Sequence, residues 1–399
     1  MTLVSVDDAL TRTLKGLGPL DVETVPTAEA HGRVLAETLS ARLTHPPFDA
    51  SAMDGYAVRL DDLASLPATL EVIGESAAGS RFGGKLGPGQ AVRIFTGAPV
   101  PGGADTIVIQ EDTDAHDDKV VVRATGGQYI RPRGQDFSEG EGLLKEGTRL
   151  GARALMLAAT MNYSALPVRR KPRVAILQTG DELVPPGSIL GEDEIVSSVR
   201  YGLRPLIDAE GGLAQDLGIA RDEPTSIAAH IQAAKDADIL VTVGGASVGD
   251  RDLVREVLRR EGFALVFAKV AMRPGKPVFY GRLARLHVLG VPGNPVSALV
   301  CSYVFLKPML RAMLGVRSED RPNAEAVLGT ALPENGPRQH YLRATSTWAE
   351  DGTRIVHPLC SQDSSLVAAL AKADCLIVQP QRDPGAAPGA RVKILTLSD

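Results

Sequence analysis

The sequence is poor in aromatic residues, which make up 4% of its 399 residues and include one tryptophan. Proteins that bind single-stranded nucleic acid stack bases on exposed aromatic rings, and this sequence indicates no such surface. Positive charge is also scarce, because 48 acidic residues outnumber 43 basic ones and give a formal net charge of −5. A non-specific nucleic-acid binder needs a basic surface, so we expect no nucleic-acid partner.

Cysteine and histidine are too few and too scattered to predict a zinc site. The three cysteines, Cys301, Cys360 and Cys375, have no metal-ligand spacing and cannot all pair, which indicates a reducing compartment. The seven histidines form no paired motif. No Ser-His or Cys-His pair predicts a nucleophile either, which disfavours acyl transfer.

Long apolar runs and targeting signals are lacking as well. No apolar run reaches the length of a membrane span, and the N-terminus has no signal-peptide pattern. We therefore expect a cytoplasmic protein without a membrane partner. Turn-forming residues, in contrast, are plentiful: 41 glycines and 27 prolines indicate many turns and irregular β-structure.

The length allows roughly two to four domains, and the apolar pattern changes twice along the chain. Residues 1–170 contain β-branched runs separated by glycine and proline, which predicts an elongated irregular β region with a small β-barrel inserted at about 48–140. In 171–318, strands alternate with helices, which is typical of a doubly wound, mostly parallel α/β sheet covered on both faces. Residues 322–399 return to short strands and predict a small C-terminal β-barrel.

One stretch of the α/β segment carries the clearest indication of a ligand site. Residues 239–243 are an apolar run that ends in Gly244-Gly245, and helical spacing follows from about Asp252, which predicts a strand, a tight turn and a helix. Unpaired backbone N–H groups in such a turn favour an anion. Asp250 and Asp252 share this turn, which suggests a bridging Mg²⁺. The alternative is that one of them only caps the helix.

Three loops of this segment are predicted to follow the carboxyl ends of its strands. They are Gly180-Asp181-Glu182, residues 244–252, and residues 269–277 with Lys269, Arg273 and Lys276. Ligands of parallel sheets bind at this edge, so we expect the acidic loops and the cationic loop to lie side by side. Carboxylates would hold a metal ion there and cations an oxyanion. A surface ion-pair cluster is the alternative.

Three further loops are candidate sites. The small residues around Met53-Asp54-Gly55 would let a ligand approach closely, although an ordinary Asp-Gly turn explains the same pattern. Asp136 lies in a charged, glycine-rich segment at 129–149, which composition alone describes as a solvated loop. Pro292-Gly293-Asn294-Pro295 precedes a predicted helix at 296–314, with Asn294 as its cap, and is a second candidate phosphate site.

Six motifs, in order over nearly the whole chain, resemble the molybdopterin molybdenumtransferase family, which includes MoeA and the C-terminal part of gephyrin. They are Ser51-Ala52-Met53-Asp54-Gly55-Tyr56-Ala57, Thr96-Gly97-Ala98-Pro99, Thr179-Gly180-Asp181-Glu182-Leu183, Gly244-Gly245-Ala246-Ser247-Val248-Gly249-Asp250, Pro274-Gly275-Lys276-Pro277 and Pro292-Gly293-Asn294-Pro295. The resemblance implies Mg²⁺-dependent insertion of molybdenum from molybdate into the dithiolene of adenylyl-molybdopterin, with release of AMP. It also implies an elongated homodimer, whose active site combines the α/β domain of one subunit with the Ser51–Ala57 region of the other.

The resemblance further implies roles for individual residues. The implied catalytic residues are Asp54, Thr96, Asp136, Glu182, Asp222 and Asp252. The implied cofactor-binding residues are Gly244, Gly245, Ser247, Gly249, Asp250, Lys269, Arg273, Lys276, Pro292, Pro295, Ser364 and Ser365. The implied metal ligands are Asp181, Glu182, Asp250 and Asp252. Arg273 stands where some relatives have lysine, so a planar guanidinium would meet the oxyanion.

Two alternative functions stay open at this point. One is a molybdopterin adenylyltransferase, because that sister family shares the α/β core and the glycine turn. The other is a non-catalytic scaffold that binds the cofactor. The resemblance also suggests two kinds of protein partner, the molybdopterin adenylyltransferase and the molybdoenzymes that accept the cofactor.

Overall fold

The computed structural model describes residues 3–245, 253–317 and 323–397. Helix α1 (Val6–Leu14) begins after Ser5, whose hydroxyl accepts a hydrogen bond from the Asp8 N–H, as is typical of a helix N-cap. Val6 and Ala9 of this helix are buried in the core of the α/β domain. The chain therefore begins on the α/β domain before it enters the N-terminal β region.

The N-terminal β region consists of one unit inserted into another. Its elements are β1 (Val22–Pro26), β2 (Leu39–Ser40), β3 (Ala50–Ser51), β4 (Gly55–Val58), β5 (Ala68–Ser76), β6 (Gln90–Ile94), β7 (Thr106–Ile109), β8 (Thr113–His116), β9 (Lys119–Val122), β10 (Ile130–Arg131), β11 (Gly142–Leu144), α2 (Ala152–Thr160) and β12 (Ala165–Arg169). The antiparallel pairs β1–β12, β2–β11 and β3–β10 join the two ends of the region. Between them, a six-stranded sheet forms in the order β7-β4-β6-β5-β9-β8.

Each unit has its own apolar core. Leu35, Leu166 and Met161 are buried together in the elongated unit, whereas Leu70 and Val108 are buried in the inserted sheet. At the start of β5, buried and exposed residues alternate, as expected for a strand with one face in the core. The insertion thus folds around an apolar face of its own.

The α/β domain is organised around one six-stranded sheet. Its elements are β13 (Arg173–Thr179), β14 (Leu183–Val184), β15 (Ile195–Val196), α3 (Val199–Ala209), β16 (Leu213–Ala220), α4 (Pro224–Ala233), β17 (Ile239–Val243), α5 (Leu253–Arg260), β18 (Ala264–Ala268), β19 (Met272–Arg273), β20 (Phe279–Leu283), β21 (Leu286–Val291), α6 (Pro295–Cys301) and α7 (Lys307–Leu314). The strand order is β16-β13-β17-β21-β20-β18. The first four strands are parallel, as predicted, and the last two pairs are antiparallel.

Both faces of this sheet are covered. Val174 and Ile176 of β13 are buried in one apolar cluster with residues of α3, α6 and α7. Ala175 and Leu177 are buried in a second cluster with residues of α4 and α5. Because successive side chains of a strand point to opposite faces, this split confirms the predicted doubly wound arrangement.

The predicted helix at 296–314 begins at Pro295 and is interrupted by a π-turn at Ser302–Leu306. The cause is Pro308, which has no N–H to donate to the carbonyl one turn back. By length and composition alone, Pro295–Leu314 could cross a membrane, but 78% of its apolar window is buried inside the fold. It is the core helix of the α/β domain.

The C-terminal region is a closed barrel. Its elements are β22 (Asn323–Leu328), β23 (Gln339–Trp348), β24 (Arg354–Pro358), α8 (Val367–Lys372), β25 (Cys375–Gln379) and β26 (Arg391–Thr396). The strands pair in the order β23-β24-β22-β26-β25, and β25 returns to β23, so the predicted barrel is confirmed. The short strand β19 adds to β23 and attaches the loop at 269–277 to the barrel.

Candidate functional site

The predicted site loops follow strands whose carboxyl ends share one edge of the sheet. One row of paired residues crosses five strands: Leu177, Thr242, Gly290, Phe279 and Ala268. Strand β18 is antiparallel to β20, which is antiparallel to β21, so β18 ends at the same edge as the parallel strands. The expectation of a common edge is therefore confirmed.

The Asp181–Glu182 loop and the cationic loop do not, however, follow neighbouring strands. Asp181 follows β13 and Lys269 follows β18, and three strands separate β13 from β18. Four strand spacings amount to roughly 19 Å. For these two loops the expectation of neighbouring positions was wrong, because the β20–β21 hairpin enters the sheet between them, whereas most of the second acidic loop lies outside the described residues. The Gly244 turn and the Pro292 loop occupy the edge in between.

Three carboxylates meet at the acidic end of the edge. Thr179 of β13 pairs with Ala220 of β16, which brings the loops that follow both strands together, and the Asp222 N–H donates to Asp181 Oδ1 at 3.1 Å. Burial raises the pKa of Asp222, and the negative charges of Asp181 and Glu182 raise it further. Within the described ranges, none of these three carboxylates has a cationic partner.

This arrangement fits a magnesium ion in part. Within the described part of the chain, no group of three or more His, Cys, Asp or Glu side chains is arranged to hold a metal. Mg²⁺, however, is commonly bound by only one or two carboxylates together with substrate phosphates. Asp181 and Glu182 offer such oxygens without a competing cation among the described residues. Asp250 and Asp252, the other predicted ligands, lie outside the described residues.

The glycine turn after β17 is tightly packed against β13. Gly244 has a φ of +92°, and a Cβ on it would lie 2.7 Å from the Thr179 carbonyl oxygen. Its N–H donates to the Val291 carbonyl at 3.2 Å, which joins this turn to the loop after β21. Only glycine meets these two demands without strain.

Three buried side-chain oxygens near this turn have no hydrogen-bond partner in the described structure: Thr179 Oγ1, Thr242 Oγ1 and Asn294 Oδ1. Asn294 occupies the predicted N-cap position of α6, but its side chain makes no capping hydrogen bond. Buried polar atoms are normally paired, so these oxygens suit the polar groups of a bound ligand. Ser247 and Gly249, which were predicted to complete this site, lie outside the described residues.

The cationic loop is anchored by hydrogen bonds to two other parts of the chain. The Val4 N–H donates to the Lys269 carbonyl, and the Ala271 N–H donates to the Val4 carbonyl. The Gln339 N–H of the barrel donates to the Ala271 carbonyl. In the part of the chain that the structure describes, Lys269, Arg273 and Lys276 form no ion pair, so their charge is free to meet an anion.

The barrel adds positive charge beside Arg273. His340 of β23 is paired with Arg273, and its pKa is lowered to about 4 by burial and by the charges of Arg273, Arg338 and Arg343. Such a concentration of cations favours an oxyanion ligand.

Arg343 is a residue that sequence analysis missed. It is 2% exposed, and its guanidinium donates to the carbonyls of Ser361 and Leu366 and contacts Gln362 Oε1. These contacts hold the loop that carries Ser364 and Ser365. Its position between Leu342 and Ala344 of β23, where a charged residue interrupts apolar ones, is the signal that could have pointed to it.

The serine loop itself is only partly free to bind a ligand. Asp363 Oδ1 accepts hydrogen bonds from the Ser365 N–H at 2.8 Å and from the Ser365 hydroxyl at 2.7 Å, and these bonds lower the pKa of Asp363. Ser364 makes no such bond in the described structure, so its hydroxyl is the one more open to a ligand.

Three other predicted catalytic residues lie in the N-terminal region. Asp54 Oδ1 accepts hydrogen bonds from the Thr96 N–H at 2.7 Å and from the Thr96 hydroxyl at 2.8 Å, and these bonds lower the pKa of Asp54. Gly97 lines an open cleft of about 600 Å³ together with Arg131 and Asp136. No described hydrogen bond or ion pair joins this group to the edge of the α/β sheet.

Comparison with known proteins places this arrangement in a family. Three family models match in order: the MoeA N-terminal region (domain I and II) at 4–162, a probable molybdopterin binding domain at 175–312, and the MoeA C-terminal region (domain IV) at 325–397. The molybdopterin molybdenumtransferase of a Nostoc species is 36% identical over 94% of this chain and 89% of its own length. The chain belongs to the molybdopterin molybdenumtransferase family.

Further relatives agree with this assignment. The molybdopterin molybdenumtransferase of Haemophilus influenzae is 34% identical over 98% of both chains. A crystal structure of the molybdopterin biosynthesis MoeA protein from Pyrococcus horikoshii, 30% identical, covers 100% of both chains with a TM-score of 0.85. In this family fold, the sheet edge lies in the probable molybdopterin binding domain, and the Asp54–Thr96 pair lies in the N-terminal region.

Proposed function

We propose that this chain is a molybdopterin molybdenumtransferase, which inserts molybdenum from molybdate into adenylyl-molybdopterin in an Mg²⁺-dependent reaction that releases AMP. The observation that carries this proposal is the sheet edge, which has carboxylates at one end and cations roughly 19 Å away. None of these groups has an ion-pair partner among the described residues. An adenylated pterin is a long anionic molecule, so its two ends can reach both groups. The names of the relatives support the transfer of molybdenum with a molybdopterin substrate.

The cationic end would bind the oxyanion. Lys269, Arg273 and Lys276 supply charge without an internal partner among the described residues, and Arg343 holds the loop that presents Ser364. Arg273 would contact molybdate through a planar pair of N–H donors, unlike a lysine. The buried oxygens beside Gly244 and the loop at Pro292 and Pro295 would receive polar groups of the pterin or its phosphate.

The acidic end would act on the phosphoanhydride. Asp181 and Glu182, with Asp250 and Asp252, would hold Mg²⁺, which neutralises phosphate charge when it is bound. The Asp222 N–H donates to Asp181 Oδ1, which places Asp222 beside these ligands, and we assign it a role in the same step.

The remaining catalytic group would come from a second subunit. Asp54, Thr96 and Asp136 form a group that no described bond connects to the sheet edge, so we propose a homodimer in which each edge meets the partner's cleft. Large apolar side chains on helices support an interface, since Met156 of α2 is 71% exposed and Tyr201 of α3 is 55% exposed. The molybdopterin adenylyltransferase and the acceptor molybdoenzymes remain proposed partners.

The proposed cellular compartment rests on the state of the three cysteines. Cys301, Cys360 and Cys375 are all free thiols, and Cys301 and Cys375 are buried. Free thiols suit a reducing environment, so we propose a cytoplasmic location.

The proposal is tested by measuring AMP release from adenylyl-molybdopterin with molybdate and Mg²⁺. Glu182→Gln should abolish Mg²⁺-dependent AMP release and leave the thermal melt unchanged, because Glu182 is exposed and its side chain makes no stabilising bond in the described structure. Glu192→Gln, an exposed carboxylate between β14 and β15, is the matched control and should keep full activity. Unchanged turnover in Glu182→Gln would reject the site. Formation of the adenylate from ATP and molybdopterin would identify an adenylyltransferase instead.

A further inference from the structure

Arg93 lies behind the Asp54–Thr96 pair without touching either side chain. It belongs to β6 and is paired directly with Tyr56 of β4. Its guanidinium carbon lies 5.1 Å from the centroid of the Tyr56 ring and 4.9 Å from that of the Phe95 ring. A planar guanidinium packs well on aromatic faces, so these two rings fix the position of a long and otherwise flexible side chain.

The guanidinium is bonded to two residues that adjoin Asp54, one in the chain and one through a main-chain hydrogen bond. Nη1 donates to the Gly55 carbonyl at 3.2 Å, and Nη2 donates to Gln110 Oε1 at 2.8 Å. The Gln110 N–H in turn donates to the Asp54 carbonyl at 3.1 Å. Arg93 therefore holds the residue that follows Asp54 and the residue that binds its main chain.

The backbone around Asp54 has little freedom to move in any other direction. A Cβ on Gly55 would lie 1.9 Å from the Val108 carbonyl oxygen, which shows how closely β4 and β7 approach. Thr96 follows Arg93 by three residues at the end of β6 and donates both of its hydrogen bonds to Asp54 Oδ1. In the described structure nothing binds Oδ2, which is left for a ligand.

Arg93 pairs with no carboxylate in the described part of the chain. Here its donors go to a main-chain carbonyl and an amide that both adjoin Asp54. The geometry identifies Asp54 as the group on which this side chain acts.

We propose that Arg93 is a positioning residue for the reaction, which holds Asp54 and Thr96 so that the free Oδ2 of Asp54 meets the substrate. This inference rests on the proposed function, because it requires Asp54 to act on the substrate. It predicts that replacing Arg93 lowers kcat only when Asp54 is present.

The first test is a double-mutant cycle on AMP release. Arg93→Met should lower kcat roughly 10- to 100-fold, since displacing a reacting group by about 1 Å costs up to 10²-fold. In the Asp54→Asn background, the same change should have less than a 2-fold effect. Arg123→Met, which removes an exposed ion pair with Asp114 in the same sheet, is the control and should be neutral. Equal losses from Arg93→Met in both backgrounds would mean a general structural role and would overturn the proposal.

The second test restores the missing group from solution. Arg93→Ala leaves a space beside the Tyr56 and Phe95 rings, so millimolar ethylguanidinium should recover at least several-fold of the lost kcat. Ethylammonium and sodium chloride at the same concentration should not, because they lack the planar pair of donors. If Arg93→Ala does not fold, Arg93→Lys serves in its place and should be impaired although it keeps the charge. Full activity of Arg93→Lys, or equal rescue by ethylammonium, would refute positioning by the guanidinium.

The outcomes separate this inference from the proposed function. If Asp54→Asn retains full activity, the assignment of Asp54 fails, and with it the proposal for Arg93. If Asp54→Asn is inactive while Arg93→Met is fully active, the function stands and the role of Arg93 is rejected.

Discussion

Replacing Glu210 by glutamine should destabilise the α/β domain far more than removing an exposed charge from the same domain. The Glu210 side chain is 7% exposed, and its carboxylate bonds Lys307 Nζ at 2.9 Å and Arg311 Nε at 2.8 Å. Arg149 of the N-terminal region also approaches it, at 3.5 Å. Removing one member of a buried ion pair leaves the other charges uncompensated, which typically costs about 3–5 kcal/mol. We expect a loss of this size for Glu210→Gln at pH 7.

The same contacts set the pH dependence of this loss. Burial by itself raises the pKa of Glu210, but the hydrogen bonds from Arg311 and Lys307 outweigh it, and the net result is a lowered pKa. A carboxyl with a lowered pKa contributes stability above its unfolded-state value of about 4.3, and this contribution is lost as the pH falls through the folded-state value. The difference between Glu210→Gln and the parent protein should therefore shrink below about pH 4.

Hydrogen exchange followed by mass spectrometry measures this loss of stability within the α/β domain itself. Amides of α3 and α7 report the opening free energy of the α/β domain separately from the other domains, whose unfolding need not coincide with it. The control is Glu256→Gln, which removes an exposed pair with Arg260 one helical turn away and should cost about 0.5 kcal/mol or less. A loss below about 1 kcal/mol for Glu210→Gln at pH 7 would refute the reasoning.

Two further changes test the sheet edge and the barrel. Gly244→Ala should destabilise the protein by about 1–3 kcal/mol and abolish turnover, because the new Cβ would clash with the Thr179 carbonyl oxygen. The control is Gly293→Ala, whose Cβ would lie 3.5 Å from Gly244 Cα and which should leave the melting temperature nearly unchanged. Equal melting temperatures for the two variants would contradict the clash. Arg343→Met should raise the KM for molybdate several-fold and speed hydrogen exchange at 361–366, because it removes donors to two loop carbonyls. Arg391→Met, which removes an exposed ion pair with Glu325, is the control and should change neither quantity. Faster exchange with an unchanged KM would show that Arg343 holds the loop but does not contribute to oxyanion binding.

The features that could be predicted from the sequence are those encoded within a short stretch. The apolar run at 239–243 followed by Gly244 identified a buried strand and a tight turn, because both depend on local periodicity and on the backbone freedom of glycine. The closed C-terminal barrel was likewise indicated by short strands between turn residues. The motifs over nearly the whole chain identified the family, which the comparisons confirm.

The features that could not be predicted depend on which strands become neighbours. The distance between Asp181 and Lys269 is set by the β20–β21 hairpin, whose place in the sheet has no local signal. The contact between Asp222 and Asp181 depends on the pairing of β16 with β13. Arg343 acts on a loop about 20 residues away in sequence through carbonyl groups, which every residue carries, so no motif marks its partners.

The row of paired residues that ends at Leu177 on one side and at Ala268 on the other has a consequence for selectivity. Under the proposed site assignment, a compact oxyanion such as sulfate would compete with molybdate at the cationic end and leave the carboxylates unaffected, because it is too short to contact both ends of that row. The width of the sheet would thereby discriminate between ligands by their extent, before any single side chain distinguishes them by chemistry.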